Sequence, residues 1–371
     1  MRIKTLIENF YLFSRSLLLS PLLALRKTKI PANDQIRKIL LLRHDRIGDM
    51  VLSTPVFYAL RRGYPNAVIV VLASVSNKEV IKYDPAVNEI IVYQGIWHFL
   101  KEFRDKEIDL AIDLFYTYEL KSAFLTYIFG ARYRMGFENA GRQIFFNIKG
   151  PKIKRSGNMI EHLLELVSCL GIEKKAIRPR LYLQEEEKNW AIDYLKENDI
   201  DLDKITIALH PGAFFPSQRW PLDNFITLSD KIRDEFGANI IFFGEKDDEA
   251  LLRRHSEIMG SDRTKLFFDL NLRQFIAVLA CCDLLICNNS GPLHIASALE
   301  IPTVSVMGPT DPILWSPTGK DDTVIRKNIS CSPCSRDFCS RHDCMRLVTV
   351  EEVMEVVRLQ IKKICSVKDR I

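Results

Sequence analysis

The stretch Lys38–Pro65, KILLLRHDRIGDMVLSTPVFYALRRGYP, decides how the rest of the chain is read. Ile39–Leu42 is a short apolar run, the mark of a buried strand. A polar loop containing Gly48 follows, and a helix is expected from about Val51 to Arg62. The next apolar run, Val68–Leu72, reads as a second strand. Strand, glycine loop, helix and strand in succession form a βαβ unit. That unit implies parallel strands with helices on both sheet faces.

Working outward, Glu89–Val92 and Leu110–Leu114 extend the series. Residues 157–171 form a helix ending on Gly171, and a charged helix covers about Glu185–Asn198. A second series then begins. Strands are expected at Ile205–Leu209, Asn239–Phe243, Lys265–Asp269, Leu284–Cys287 and Thr303–Met307. Helices are expected at Leu222–Phe236, Asp247–Met259, Leu272–Ala280 and Pro292–Leu299. Thr349-Val-Glu-Glu352 is a capping box opening a last helix to about Cys365. The expected fold is α/β: two Rossmann-like parallel-sheet domains facing a cleft, preceded by an amphipathic helix. The expected domains are a basic extension (1–35), a first Rossmann-like domain (36–185), a second Rossmann-like domain (186–347) and a C-terminal helix (348–371). Ligands of such sheets bind outside the carboxyl ends of the strands, so the cleft is the expected site.

Charge is distributed unevenly. The chain of 371 residues has 52 Lys+Arg, 47 Asp+Glu and a net charge of +5. The first 30 residues hold six basic and one acidic group, which accounts for the whole excess. A neutral body argues against a nucleic-acid binder, whose folded surface needs a basic stripe. The basic end points instead to an anionic membrane surface. Within it, Ile3, Leu6, Phe10, Phe13 and Leu17 recur at helical spacing. This suits an interfacial helix or a helix packed on the protein's own body. No apolar run reaches the length of a membrane span. Nine cysteines in a chain this long are not a disulfide scaffold, so a cytoplasmic protein is expected.

Four loop segments carry candidate chemistry. Gly48 permits a tight turn and close backbone approach, and Asp49 is a general base or a helix cap. In His210-Pro-Gly-Ala, Gly212 and Ala213 offer backbone N–H groups, and Arg219 offers a fork for phosphate oxygens. In Asn289-Ser290-Gly291-Pro292-Leu-His294, a helix start and the Ser290 hydroxyl form a cradle for a diphosphate. A Ser290/His294 hydrolase pair is the rival reading there, although it lacks the G-x-S-x-G elbow. Asp248 is a candidate ribose ligand or a favourable charge in a helix's first turn. Cys331, Cys334, Cys339 and Cys344 are candidate ligands of a structural zinc, free thiols, or cysteines that form disulfides on isolation.

These loops, in this order, resemble glycosyltransferase family 9, the heptosyltransferases of the lipopolysaccharide inner core. The matching stretches are ILLLRHDRIGDMVLSTPVFYALRRGYP, IDLAIDLFYTYELKSAFL, HPGAFFPSQRWP and LLICNNSGPLHIASALEIPTVSVMGPTDP, spread over about residues 38–360. The segment CSPCSRDFCSRHDCM resembles one in the heptosyltransferase II branch. The resemblance implies a GT-B fold, inverting chemistry without a catalytic metal, and heptose transfer from ADP-heptose to a membrane glycolipid at the inner face of the inner membrane. It implies Asp49 as the base, and Ser290, Gly291 and His294 as donor ligands. Two positions depart from the family pattern. Asn289 stands where the family has Asp, and Gln218 where it has a phosphate-binding Lys, with Arg219 adjacent. A different nucleotide sugar, or a non-catalytic nucleotide-sugar binding protein, is therefore the alternative.

Overall fold

The computed structural model describes residues 11, 12, 14, 15, 18, 33–96, 107–154, 156–244 and 264–368. It divides into two units, Met1–Pro179 and Arg180–Ile371.

The first unit contains β1 (Lys38–Leu42), α1 (Ile47–Gly63), β2 (Val68–Ala73), β3 (Glu89–Val92), β4 (Leu110–Asp113), α2 (Lys121–Ile128), β5 (Tyr133–Gly136) and α3 (Met159–Ser168). Its sheet is parallel throughout, in the order β3-β2-β1-β4-β5. The chain reverses its direction of growth at β1, so the loop after β1 lies at the switch point where such sheets bind ligands. Leu40 and Leu42 bury one face of β1, and Ile39 and Leu41 are equally buried on the other. This is why the strand reads as a continuous apolar run. Helix α1 runs straight through Pro55. Proline cannot donate to the carbonyl of Val51, and the Thr54 hydroxyl donates to it instead at 2.9 Å.

The second unit contains α4 (Glu185–Glu197), β6 (Thr206–His210), α5 (Leu222–Phe236), β7 (Asn239–Phe243), β8 (Thr264–Phe267), α6 (Leu272–Ala280), β9 (Leu284–Asn288), α7 (Gly291–Ala298), β10 (Thr303–Val306), β11 (Asp322–Ile325) and α8 (Val350–Lys368). The sheet is again parallel, in the order β11-β10-β9-β6-β7-β8. Its switch point falls between β6 and β9. Helix α8 begins at the expected box, where Thr349 N–H donates to Glu352 Oε2 at 2.9 Å. It packs onto the second unit through Val353, Met354, Val357 and Ile361. Arg358 adds a two-pronged pair to Glu235 on α5, both bonds at 2.7 Å.

Side chains close the amino-terminal edges of both sheets. Asp109 accepts from the N–H groups of Arg37 and Lys38 at 2.8 and 2.9 Å. Asn88 accepts from Ile69 at 2.8 Å, Asn147 from Arg134 at 2.7 Å, and Asp283 from Thr206 at 2.9 Å. The orphan donors at the strand starts are thereby satisfied.

Differences from the sequence reading are local. Helix α1 starts at Ile47, four residues before the expected Val51. Strands β5 and β11 and helix α2 were not expected. The expected helix Asp247–Met259 lies outside the described residues, and so does most of the N-terminal amphipathic helix. No helix among the described residues is long and apolar enough to cross a membrane.

Candidate active site

The loop after β1 gathers buried charge. The Arg43 side chain is 1% exposed. Its Nε donates to Ser53 Oγ at 2.8 Å, and one terminal nitrogen donates to Asp45 at 3.0 Å and stands 3.9 Å from Asp49 Oδ1. Ser53 in turn donates to the carbonyl of Asp49 at 2.7 Å, tying the arginine to the first turn of α1. Asn77, fully buried, donates to the Arg43 carbonyl at 3.0 Å and fixes the loop from the β2 side.

Asp49 lies in that first turn with its side chain 15% exposed. Burial, reinforced by the Asp45 carboxylate, pushes it up to about 6, against the pull of Arg43 and Arg46. A carboxylate titrating there is matched to proton abstraction near neutrality. His44 packs between Tyr93 and Phe115, ring centroids 4.5 and 4.9 Å away, and burial lowers its pKa. Arg43 Nη2, His44 Nδ1 and Asp45 Oδ1 are buried with no hydrogen-bond partner among the described residues. Buried polar atoms are ordinarily satisfied, so a cluster of orphans around a raised carboxylate makes this loop a candidate site. Gly48 corrects an expectation. It is a buried residue inside α1 and is not among the described glycines of positive φ, so no tight turn is built on it.

In the second unit the candidate donor residues converge on the carboxyl edge of β6, β9 and β10. Asn288, at the end of β9, is fully buried. Its side chain accepts from Trp220 N–H at 2.9 Å and donates to the Pro211 carbonyl at 2.6 Å. It thus clips both ends of the loop 211–220, while Trp220 Nε1 donates to the Val348 carbonyl at 2.9 Å. Gly212 packs closely on His210, since a Cβ would stand 2.9 Å from its Cε1 and the ring would have to shift. Arg219 donates through Nε to the Ala213 carbonyl at 3.0 Å, and Gln218 donates to Thr310 Oγ1 at 3.0 Å. Asn289 is nearly buried, with Nδ2 3.4 Å from the Trp315 carbonyl.

Ser290 is the N-cap of α7 in extended conformation, and its hydroxyl makes no capping bond. Gly291 and Pro292 begin the helix, as the sequence suggests. His294 is 5% exposed, and burial brings its pKa down to about 4. It is therefore a neutral imidazole at neutral pH, able to donate one hydrogen bond but bringing no charge. No Ser290–His294 hydrogen bond and no orienting carboxylate occurs there among the described residues, which leaves the hydrolase pair without its geometry. Asp248 lies outside the described residues.

The four cysteines of the cysteine-rich segment are free thiols, one of the expected alternatives. No group of three His, Cys, Asp or Glu among the described residues is arranged to hold a metal ion. The zinc expected at Cys331, Cys334, Cys339 and Cys344 has no support in this geometry. Cys344 is buried in the second unit's core, and burial, with the three neighbouring thiols, pushes it up to about 11. The segment bonds to the loops that follow β6 and β10. The N–H groups of Cys334 and Ser335 donate to the Pro309 carbonyl at 2.9 and 2.8 Å. Ser217 N–H donates to the Asp337 carbonyl at 3.3 Å, and the Ser217 hydroxyl bonds the Arg336 carbonyl. His342 Nε2 lies 2.9 Å from the Ser217 carbonyl.

The sequence reading passed over Asn288, Ser53 and the inward turn of Arg43. Arg43 follows directly on a buried strand, and that position was the available signal. Asn288→Ala strands two buried backbone groups. It should cost about 2–4 kcal/mol and weaken nucleotide binding, read from the urea midpoint and the ligand-induced shift in melting temperature.

Two parallel Rossmann-like units, with an acidic loop in the first and helix-start and arginine loops in the second, define the GT-B class of glycosyltransferases. Similarity to solved structures agrees. Escherichia coli ADP-heptose lps heptosyltransferase II matches with a TM-score of 0.74 at 24% identity, covering 88% of this chain and 99% of that one. A glycosyl transferase family 9 protein from Veillonella parvula DSM 2008 matches with a TM-score of 0.76 at 18% identity, covering 90% and 100%. The family model of glycosyltransferase family 9 (heptosyltransferase) matches residues 96–344, about two thirds of the chain. The chain belongs to this family and is a glycosyltransferase. Among its relatives, lipopolysaccharide heptosyltransferase 2 of Escherichia coli (strain K12) is 28% identical over 316 residues, covering 78% of this chain and 88% of that protein. Lipooligosaccharide heptosyltransferase 2 of Haemophilus influenzae is 25% identical over 307 residues, covering 78% and 88%.

Proposed function

We propose that this glycosyltransferase moves heptose from ADP-heptose to the lipopolysaccharide core, with inversion and without a catalytic metal. The observation that carries the reading is the raised Asp49 carboxylate amid buried, unsatisfied polar atoms. Asp49 takes the proton of an acceptor hydroxyl. The hydroxyl oxygen attacks the anomeric carbon as its bond to the diphosphate breaks, and ADP departs with the electron pair. Backbone N–H groups at the start of α7 and the Arg219 guanidinium meet the charge that develops on the leaving group. Asp248 is proposed as a ribose ligand. The enzyme works in the cytoplasm at the inner face of the inner membrane, where a lipid-borne acceptor is presented.

A second reading keeps the chemistry and changes the donor. It is favoured by Gln218, which stands where the family carries a cation and is turned onto Thr310. A panel of nucleotide sugars separates the two. ADP-heptose at ~100 Kd should stabilise the protein by ~2.7 kcal/mol and be consumed with heptose-deficient core as acceptor. Mass spectrometry of the acceptor should show one added heptose. Turnover of another donor alone would replace the heptose assignment, and binding without any turnover would leave only a binding protein.

A further inference from the structure

The first unit carries an aromatic surface that the proposed reaction does not use. Phe124 and Tyr127 on α2 are 42% and 57% exposed, and Tyr118 just before the helix is 47% exposed. The first two lie three residues apart on one helix face, while Ala123 and Leu125 turn into the core. Both rings meet Phe145, with centroids 5.4 and 6.3 Å apart. The Arg134 guanidinium lies 5.5 Å over the Tyr127 ring, and its Nε donates to the Phe145 carbonyl at 2.9 Å.

Arg15 is pinned beside this surface. Its guanidinium donates to the Ala140 carbonyl at 2.7 Å and to the Tyr118 carbonyl at 2.5 Å. Arg15 therefore sits at the edge of an exposed aromatic face, and it is one of the six basic groups that the first 30 residues of the sequence hold. Aromatic rings take positions among lipid headgroups, and neighbouring cations meet lipid phosphates. A two-fold contact between copies of the same face would bring Arg15 and Arg134 of both copies together, so charge favours the bilayer as occupant.

We propose that the α2 face, with Phe124, Tyr127 and Phe145 and with Arg15 at its edge, docks the protein onto an anionic bilayer surface. The inference rests on the reading of a lipid-borne acceptor, and its test is independent of transfer. The full chain is mixed with phosphatidylcholine–phosphatidylglycerol vesicles and floated on a density gradient. The double variant F124S/Y127S should partition at least ~10-fold more weakly, while transferring sugar to a soluble acceptor analogue at the normal rate. Separately, the fluorescence of a Phe124→Trp variant should shift to the blue on adding these vesicles and stay unmoved with phosphatidylcholine alone. Unchanged flotation of F124S/Y127S overturns the proposal. So does a wild-type dimer that F124S/Y127S dissociates while the emission of the Phe124→Trp variant ignores vesicles, since the occupant would then be a second copy.

Discussion

Asp49→Asn should lower kcat/KM for transfer by ~10²–10⁴-fold, the usual contribution of a positioned general base. The same change should make the protein more stable at neutral pH. Burial and the Asp45 charge raise the Asp49 carboxyl to about 6, so the folded protein holds this proton more tightly than the unfolded chain. Its favourable contribution is complete below the ordinary carboxylate value of about 4 and is lost as pH rises through about 6. At pH 8 the ionised carboxylate then costs roughly 2–3 kcal/mol, which asparagine does not incur. Urea unfolding should show the variant's advantage appearing between pH 4 and pH 7. The wild-type pH–rate profile should rise through about pH 6. A variant that transfers sugar at the wild-type rate removes Asp49 from the mechanism.

Arg142→Leu should cost about 3–5 kcal/mol, because it leaves the Asp113 carboxylate buried without its partner. Both side chains are fully buried, and their contact is 2.5 Å. Arg142 also donates to the carbonyls of Phe115 and Thr117 at 2.9 and 2.7 Å and to Ser122 Oγ at 3.1 Å. The loop it holds carries Phe115, whose ring packs on His44 and lies 5.7 Å under the Arg43 guanidinium. The expected kinetic result is therefore a raised KM for the acceptor, with donor affinity little changed. Adding Asp113→Asn should recover part of the lost stability, since no uncompensated charge then remains. Equal losses in the single and double variants would show that the pair acts through packing alone.

Much of this architecture was legible in the residues. Strands such as β1 and β7 are buried on both faces and so appear as unbroken apolar runs. Strand β11, Asp322–Ile325, is an edge strand with only half-buried side chains, and β5 ends on Gly136. Neither offers a run long enough to distinguish from loop. The start of α1 was misplaced because Arg46 makes no side-chain capping bond, so the helix begins without its usual marker. Among the candidate residues, Asp49, Arg219 and Ser290 could be singled out from their residue type and position next to a strand end. What escaped were polar side chains turned inward to hold backbone, such as Asn288 beside the more conspicuous Asn289. Their role exists only through partners distant in sequence.

The side chains that close the strand starts, Asp109, Asn88, Asn147 and Asp283, have a consequence for how such a scaffold can change. Each sheet has one rim closed by these residues, and the candidate site residues lie at the opposite rim. Substitutions at the second rim leave the bonds of the first in place, so a new sugar or acceptor can be acquired while the strand starts stay closed. Inheritance of shape and invention of specificity are written on opposite rims of the same sheet.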